Sequence, residues 1–137
     1  MLRSLCLMPL VLVLVLTLSA PGQESPKPLR AGMIGLDTSH VVAFTQVLNR
    51  PNNEGDLAGI KITAAYPGGS PDLPSSRDRV DGYTKDLRDK FGVTIVDSID
   101  ELLKQVDVVL LESVDGRPHL AQARPVLKAG KPLFIDK

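Results

Sequence analysis

The chain has 137 residues, with one cysteine, no tryptophan, and 16 basic side chains balanced by 16 acidic ones. That length supports one domain with a real core, and not two. A balanced surface with no basic block or acidic tail gives no electrostatic case for nucleic acid or for an anionic membrane.

The amino terminus has the three-part layout of a secretory signal. Arg3 precedes the almost wholly aliphatic run from Leu5 to Leu18, and the small residues Ser19-Ala20-Pro21-Gly22 follow. A spanning helix needs roughly 20 apolar residues, and this run is shorter. Residues 1–22 are therefore expected to direct export to the periplasm or the extracellular space, with membrane contact only during passage. Cys6 lies inside the apolar run, so the mature chain carries no disulfide, thiol chemistry or zinc–thiolate site.

Residues 23–28 read as a linker, and strict alternation begins at Leu29. Leu29 to Gly35 is a strand ending at glycine. Ser39 to Asn49 is a helix with Val41, Phe44 and Leu48 on one face. Ile60 to Tyr66 is a β-rich run, followed by a loop rich in proline and glycine, Pro67 to Ser76. Ser76 to Phe91 is an amphipathic helix, with Gly92 placed to cap it. Val93 to Val96 is a short strand, and Ser98 caps a brief helix around Glu101-Leu102-Leu103. Asp107 to Leu111 is continuously apolar after its first residue, as a strand buried on both faces should be. Pro118 to Ala129 is a helix closed by Gly130, with a kink or break expected at Pro125. Leu133 to Ile135 is the last strand.

Alternation with short links forces parallel strands and right-handed crossovers. The expected fold is α/β: a doubly wound parallel sheet of five strands in the order 3-2-1-4-5, over residues 29–137. Ligands of such sheets bind at the carboxyl ends of the strands, where the order reverses. Here Gly35 to His40, Tyr66 with its following loop, Glu112 to Arg117, and Asp136-Lys137 line that crevice.

A dinucleotide needs the first turn to be G-x-G-x-x-G, so that backbone amides and a helix start reach the pyrophosphate. The turn is Gly35-Leu36-Asp37-Thr38-Ser39-His40, with Asp37 and His40 at the second and third glycine positions. Asp37 would repel a phosphate unless the backbone is re-routed, whereas Thr38 and Ser39 can cap the helix and donate hydroxyls. The acidic residue expected after the second strand is replaced by Tyr66, which could stack on a ring. Gly35, Asp37, Thr38, Ser39, His40, Tyr66, Glu112 and Ser113 are the candidate cofactor contacts. Asp37, His40, Glu112 and Asp115 could together form an oxygen/nitrogen metal set, but no close ligand spacing supports it, and no metal is assigned.

His119 opens the fourth helix, and Ala129-Gly130-Lys131-Pro132 leads into Leu133-Phe134-Ile135-Asp136-Lys137. This pattern resembles the Gfo/Idh/MocA family, the glucose–fructose oxidoreductase and inositol dehydrogenase group, across the whole of residues 29–137. Lys131 matches the lysine of the family's A-G-K turn, and Asp136-Lys137 match the acidic residue and lysine of its E-K-P motif. The resemblance implies a Rossmann domain binding NAD or NADP, with hydride transfer on a sugar or polyol. It makes Lys137 the catalytic lysine beside the nicotinamide and His119 a residue positioned near it. It also implies a second, substrate-binding domain that these residues do not encode. The chain alone is then expected to be inactive, and homo-oligomers to form through that further domain. The competing expectation is a non-catalytic Rossmann-like binding protein with a degraded glycine loop.

Overall fold

The computed structural model describes residues 27–137. The segment read as an export signal lies outside them. The described elements are β1 (Leu29–Ile34), α1 (His40–Leu48), a 3-10 turn (Gly55–Gly59), β2 (Ile60–Tyr66), α2 (Pro74–Phe91), β3 (Thr94–Ile95), α3 (Ile99–Gln105), β4 (Val108–Leu111), α4 (His119–Lys128) and β5 (Leu133–Ile135). The strands form one sheet in the order β3-β2-β1-β4-β5, with every pairing parallel. The α/β class, the parallel pairing and the strand order match the expectation.

The pleat explains the two layers. Successive strand residues face opposite sides, so Met33 joins Val41, Ile62 and Leu87 in a core beneath α1 and α2. Its neighbour Ile34 joins Leu102, Val109, Leu111 and Val126 in a second core beneath α3 and α4. A register shift between Ala31 and Gly32 leaves Thr63 as an extra residue in β2. Asn49 at the end of α1 repairs the ladder there: its side chain accepts from the Ile62 amide and donates to the Ile62 carbonyl, both at 2.8 Å.

The observed boundaries differ from expectation where local chemistry decides them. β1 stops at Ile34 because Gly35 turns to φ +87°. α2 starts at Pro74, two residues before the expected Ser76, because proline suits a first helical position that needs no amide donor. β3 shrinks to Thr94–Ile95, which stand in register with Ala64 and Ala65 of β2, and the Val96 amide adds one further bond to the Ala65 carbonyl at 3.0 Å. Ser98 caps α3 as expected, accepting from the Glu101 amide at 3.2 Å. Ser39 makes no side-chain cap at α1, contrary to expectation. The break expected at Pro125 is also not seen: α4 runs unbroken through it. The carbonyl that Pro125 deprives of a donor is that of exposed Ala121, where water can serve instead.

Candidate functional site

The carboxyl ends of β1, β4 and β5 lie side by side, so Gly35 and Lys137 fall on the two lips of one crevice edge. The near half is built on the first turn. The Gly35 amide donates to the Tyr66 carbonyl at 3.0 Å and the Leu36 amide to the Pro67 carbonyl at 2.7 Å, which carries the β1–β2 ladder into the loop. A Cβ on Gly35 would sit 2.2 Å from Ser113 Oγ, so the chains after β1 and β4 touch.

Asp37 is fully buried and faces inward. Its carboxylate accepts from Ser76 Oγ at 2.6 Å and from the Val114 amide at 3.1 Å. Ser76 Oγ in turn accepts from the Ser70 amide, and Ser70 Oγ donates to Asp115 at 2.6 Å. Arg117 holds Asp115 and forks onto Asp72 with bonds of 2.7 and 3.0 Å. The Arg117 guanidinium, then the Ser70 hydroxyl, hold the Asp115 carboxyl well below the usual carboxylate range. The loop after β2 is thus fastened across the β1 turn onto the loop after β4.

This clamp decides how the near half fits a dinucleotide. The second glycine of the fingerprint exists so that pyrophosphate can approach the backbone. Here the Asp37 carboxylate stands at that position, and the Ser70–Asp115 and Arg117–Asp72 contacts join the loops between which the cofactor would pass. As folded, the near half does not fit a pyrophosphate. Thr38 is nearly buried and its Oγ1 accepts from the His40 amide at 3.3 Å, while Ser39 is exposed. Tyr66 is half-buried against the second core.

The far half differs. His40 Nδ1 and Asp136 Oδ2 are 2.6 Å apart, and Lys137 Nζ is 3.6 Å from the same oxygen. Glu112 ends β4 with its side chain fully buried, and among the described residues neither carboxylate oxygen meets a donor, the nearest polar group being the Asp136 carboxyl, to which a protonated Glu112 would donate. Burial, followed by the neighbouring Asp136, pushes the Glu112 carboxyl up to about 8, against the pull of Lys137. Burial also works upward on Asp136, but the His40 contact and Lys137 outweigh it, leaving that carboxyl below its ordinary range.

His119 lies apart from this group. Its Nε2 pairs with the Ser113 carbonyl at 2.8 Å, an acceptor that assigns the proton to that nitrogen, while Ser113 Oγ donates to Gln122 at 3.0 Å. Lys131, the lysine of the A-G-K turn, donates to the Val106 carbonyl at 2.8 Å and ties the α4–β5 turn to the start of β4.

Of the candidate residues, His40, Glu112 and Lys137 converge around Asp136, and Gly35, Ser113 and His119 form an adjoining contact group. Asp37 and Asp115, two of the four residues weighed as a metal set, belong to the clamp instead. Ser76, Gln122 and Asp72 had no motif to announce them. The pairing of Asp136 with His40 spans 96 residues and carries no local signal either.

The sheet order and the turn at Gly35 define a Rossmann-like, doubly wound α/β domain. Solved structures similar to the chain in fold include Gfo/Idh/MocA-type dehydrogenases, the group that the closing segment resembles. They include the MviM dehydrogenase of Clostridium difficile, at 20% identity and a TM-score of 0.57, covering 81% of this chain and 31% of that one. The WlbA dehydrogenase of Bordetella pertussis, solved with NADH and UDP-GlcNAcA, matches at 15% and 0.57, over 81% and 29%. UDP-N-acetylglucosamine 3-dehydrogenase GnnA of Acidithiobacillus ferrooxidans matches at 20% and 0.52, again over 81% and 29%. At these identities the likeness is one of fold, and the chain spans about three tenths of the length of these proteins. No protein family's sequence profile matches the chain, and no curated protein is significantly similar to it.

Proposed function

We propose that residues 29–137 are the Rossmann-type domain of an exported, dehydrogenase-like protein. It holds a small polyhydroxylated molecule, of the sugar or polyol class, at the far half of the crevice, with no dinucleotide lying across the β1 turn. The observation that carries this reading is the buried Asp37 carboxylate, bound by Ser76 and Val114 where a phosphate would otherwise approach. Support for the ligand class comes from the acceptors and donors gathered at His40, Glu112, Asp136 and Lys137, which suit hydroxyl groups. The sugar nucleotides named for WlbA and GnnA point the same way. Export rests on the apolar amino-terminal run.

A second reading is nicotinamide-dependent oxidation of a sugar or polyol. It is favoured by the placement of Lys137 after β5 and His119 after β4 on one crevice edge, as the family resemblance implies for the catalytic lysine and its neighbouring histidine. One experiment separates the two. The purified full chain is assayed by mass spectrometry for co-purifying NAD or NADP and titrated with NADH and NADPH by fluorescence. In parallel, sugars and polyols are screened by saturation-transfer NMR. Sugar signals without any bound dinucleotide at millimolar concentration are expected. A retained dinucleotide would overturn the first reading in favour of the second.

A further inference from the structure

We infer that His40, Glu112 and Asp136 form a binding site for one divalent transition cation. Each offers one ligand atom, and the three atoms lie within 4.8 Å of one another. They come from three separate segments: the start of α1, the end of β4 and the residue after β5. Imidazole with two carboxylates is a borderline donor set, suited to zinc or manganese, whereas magnesium and calcium prefer oxygen alone.

The second, independent observation is Glu112. A buried carboxylate is retained in a fold when donors or counter-charges compensate its lost hydration. Asp37, equally buried, has its donors, whereas both oxygens of Glu112 have none and lie beside another acid. Two carboxylates with a neutral imidazole carry a charge of minus two, and Lys137, 3.6 Å from Asp136, supplies one positive charge. A divalent ion seated among the three would give the unpartnered oxygens a ligand bond and balance the two acids. Ligand bonds of about 2.0–2.2 Å set two ligand atoms of one ion about 3 Å apart, so the 4.8 Å spread must narrow while the 2.6 Å His40–Asp136 contact opens to admit the ion. His40 is half exposed, so its side chain can make that move, and the ion would keep open positions toward solvent.

The inference stands on these three side chains alone and holds under either reading of the crevice. The test is zinc titration of the chelator-treated full chain, followed by calorimetry and by the NMR signals of its two histidine rings, assigned with His119→Gln. Expected are one site filled at micromolar zinc, movement of the His40 signals with those of His119 left in place, and a loss of affinity of at least about tenfold in Glu112→Gln. Asp136→Asn, at the end of the fold, provides the same loss should Glu112→Gln fail to fold. Reading His40 itself keeps Cys6 out of the answer. Zinc that leaves His40 unmoved, or that binds both variants as it binds the parent, overturns the site. Magnesium filling the site equally well overturns the transition-ion assignment.

Discussion

Replacing Asp37 by alanine tests the clamp directly. The carboxylate is fully buried and accepts two hydrogen bonds, at 2.6 Å from Ser76 Oγ and at 3.1 Å from the Val114 amide. Hydrogen bonds to a charged group contribute ~1.5–3 kcal/mol each, and an orphaned buried donor costs ~1–3 kcal/mol. The Ser76 hydroxyl can rotate to another acceptor while still accepting from Ser70, so the Val114 amide carries most of the loss. Asp37→Ala is therefore expected to destabilise the chain by ~2–4 kcal/mol. Asp37→Asn keeps the acceptor for Val114 and gives Ser76 a donor in place of an acceptor, so its expected cost is nearer ~1 kcal/mol. Urea titration of the full chain by circular dichroism measures both, with equal slopes required for the comparison. A change in Asp37→Ala within ~0.5 kcal/mol of zero, the range of ordinary surface substitutions, would refute the reasoning, because a carboxylate serving as the keystone of two loops cannot be removed freely.

Three other outcomes follow from the same contacts. With its pKa held near 8 rather than the ordinary 4.5, Glu112 binds a proton in the folded chain that the unfolded chain releases, so metal-free stability should fall as pH rises between about 5 and 8. Thermal melts in chelator across that range should show the decline in the parent and lose most of it in Glu112→Gln. Asn49→Ala strips both partners from the Ile62 backbone in β2 and should cost ~2 kcal/mol in the same urea assay. Gly35→Ala meets a positive φ and Ser113 atoms at 2.2–2.6 Å, and soluble yield with circular dichroism should report failure to fold.

The architecture was legible because it rests on periodicity, which each segment carries within itself. Ile60–Tyr66 and Leu133–Ile135 were found at their observed bounds, and the alternation of elements dictated the parallel order. Boundaries were less legible: β3 is held to the two residues in register with Ala64 and Ala65 of β2, and the start of α2 follows from Pro74. Within the site, the crevice followed from topology, but the direction of each carboxylate did not. Asp37 turns inward because of Ser76, 39 residues away, and Val114, 77 residues away. Asp115 is drawn off by Ser70 at a distance of 45 residues. Such pairings leave no trace in spacing, so a metal set chosen from the sequence took in the two acids with partners and omitted Asp136.

The two halves of the crevice are opposites in how they treat buried charge, and the proposed site follows that contrast. In the near half every carboxylate meets a donor: Asp37 has a hydroxyl and an amide, Asp115 a hydroxyl and a guanidinium. A half so fully satisfied gains nothing from a charged ligand and would have to break the clamp to admit one. In the far half Glu112 is buried without a donor among the described residues, Asp136 shares its environment beside the half-exposed His40 imidazole, and a lysine lies 3.6 Å from Asp136. Folding alone leaves that carboxylate two outcomes: it keeps its proton, or it acquires a cation. The pH at which the first gives way to the second depends on how tightly the cation binds, because proton and metal compete for the same oxygens. Proton release on zinc addition, measured in weak buffer at pH 7, is therefore expected from the parent chain. It should be smaller in Glu112→Gln, and its absence in the parent would mean that the far half is held by protonation alone.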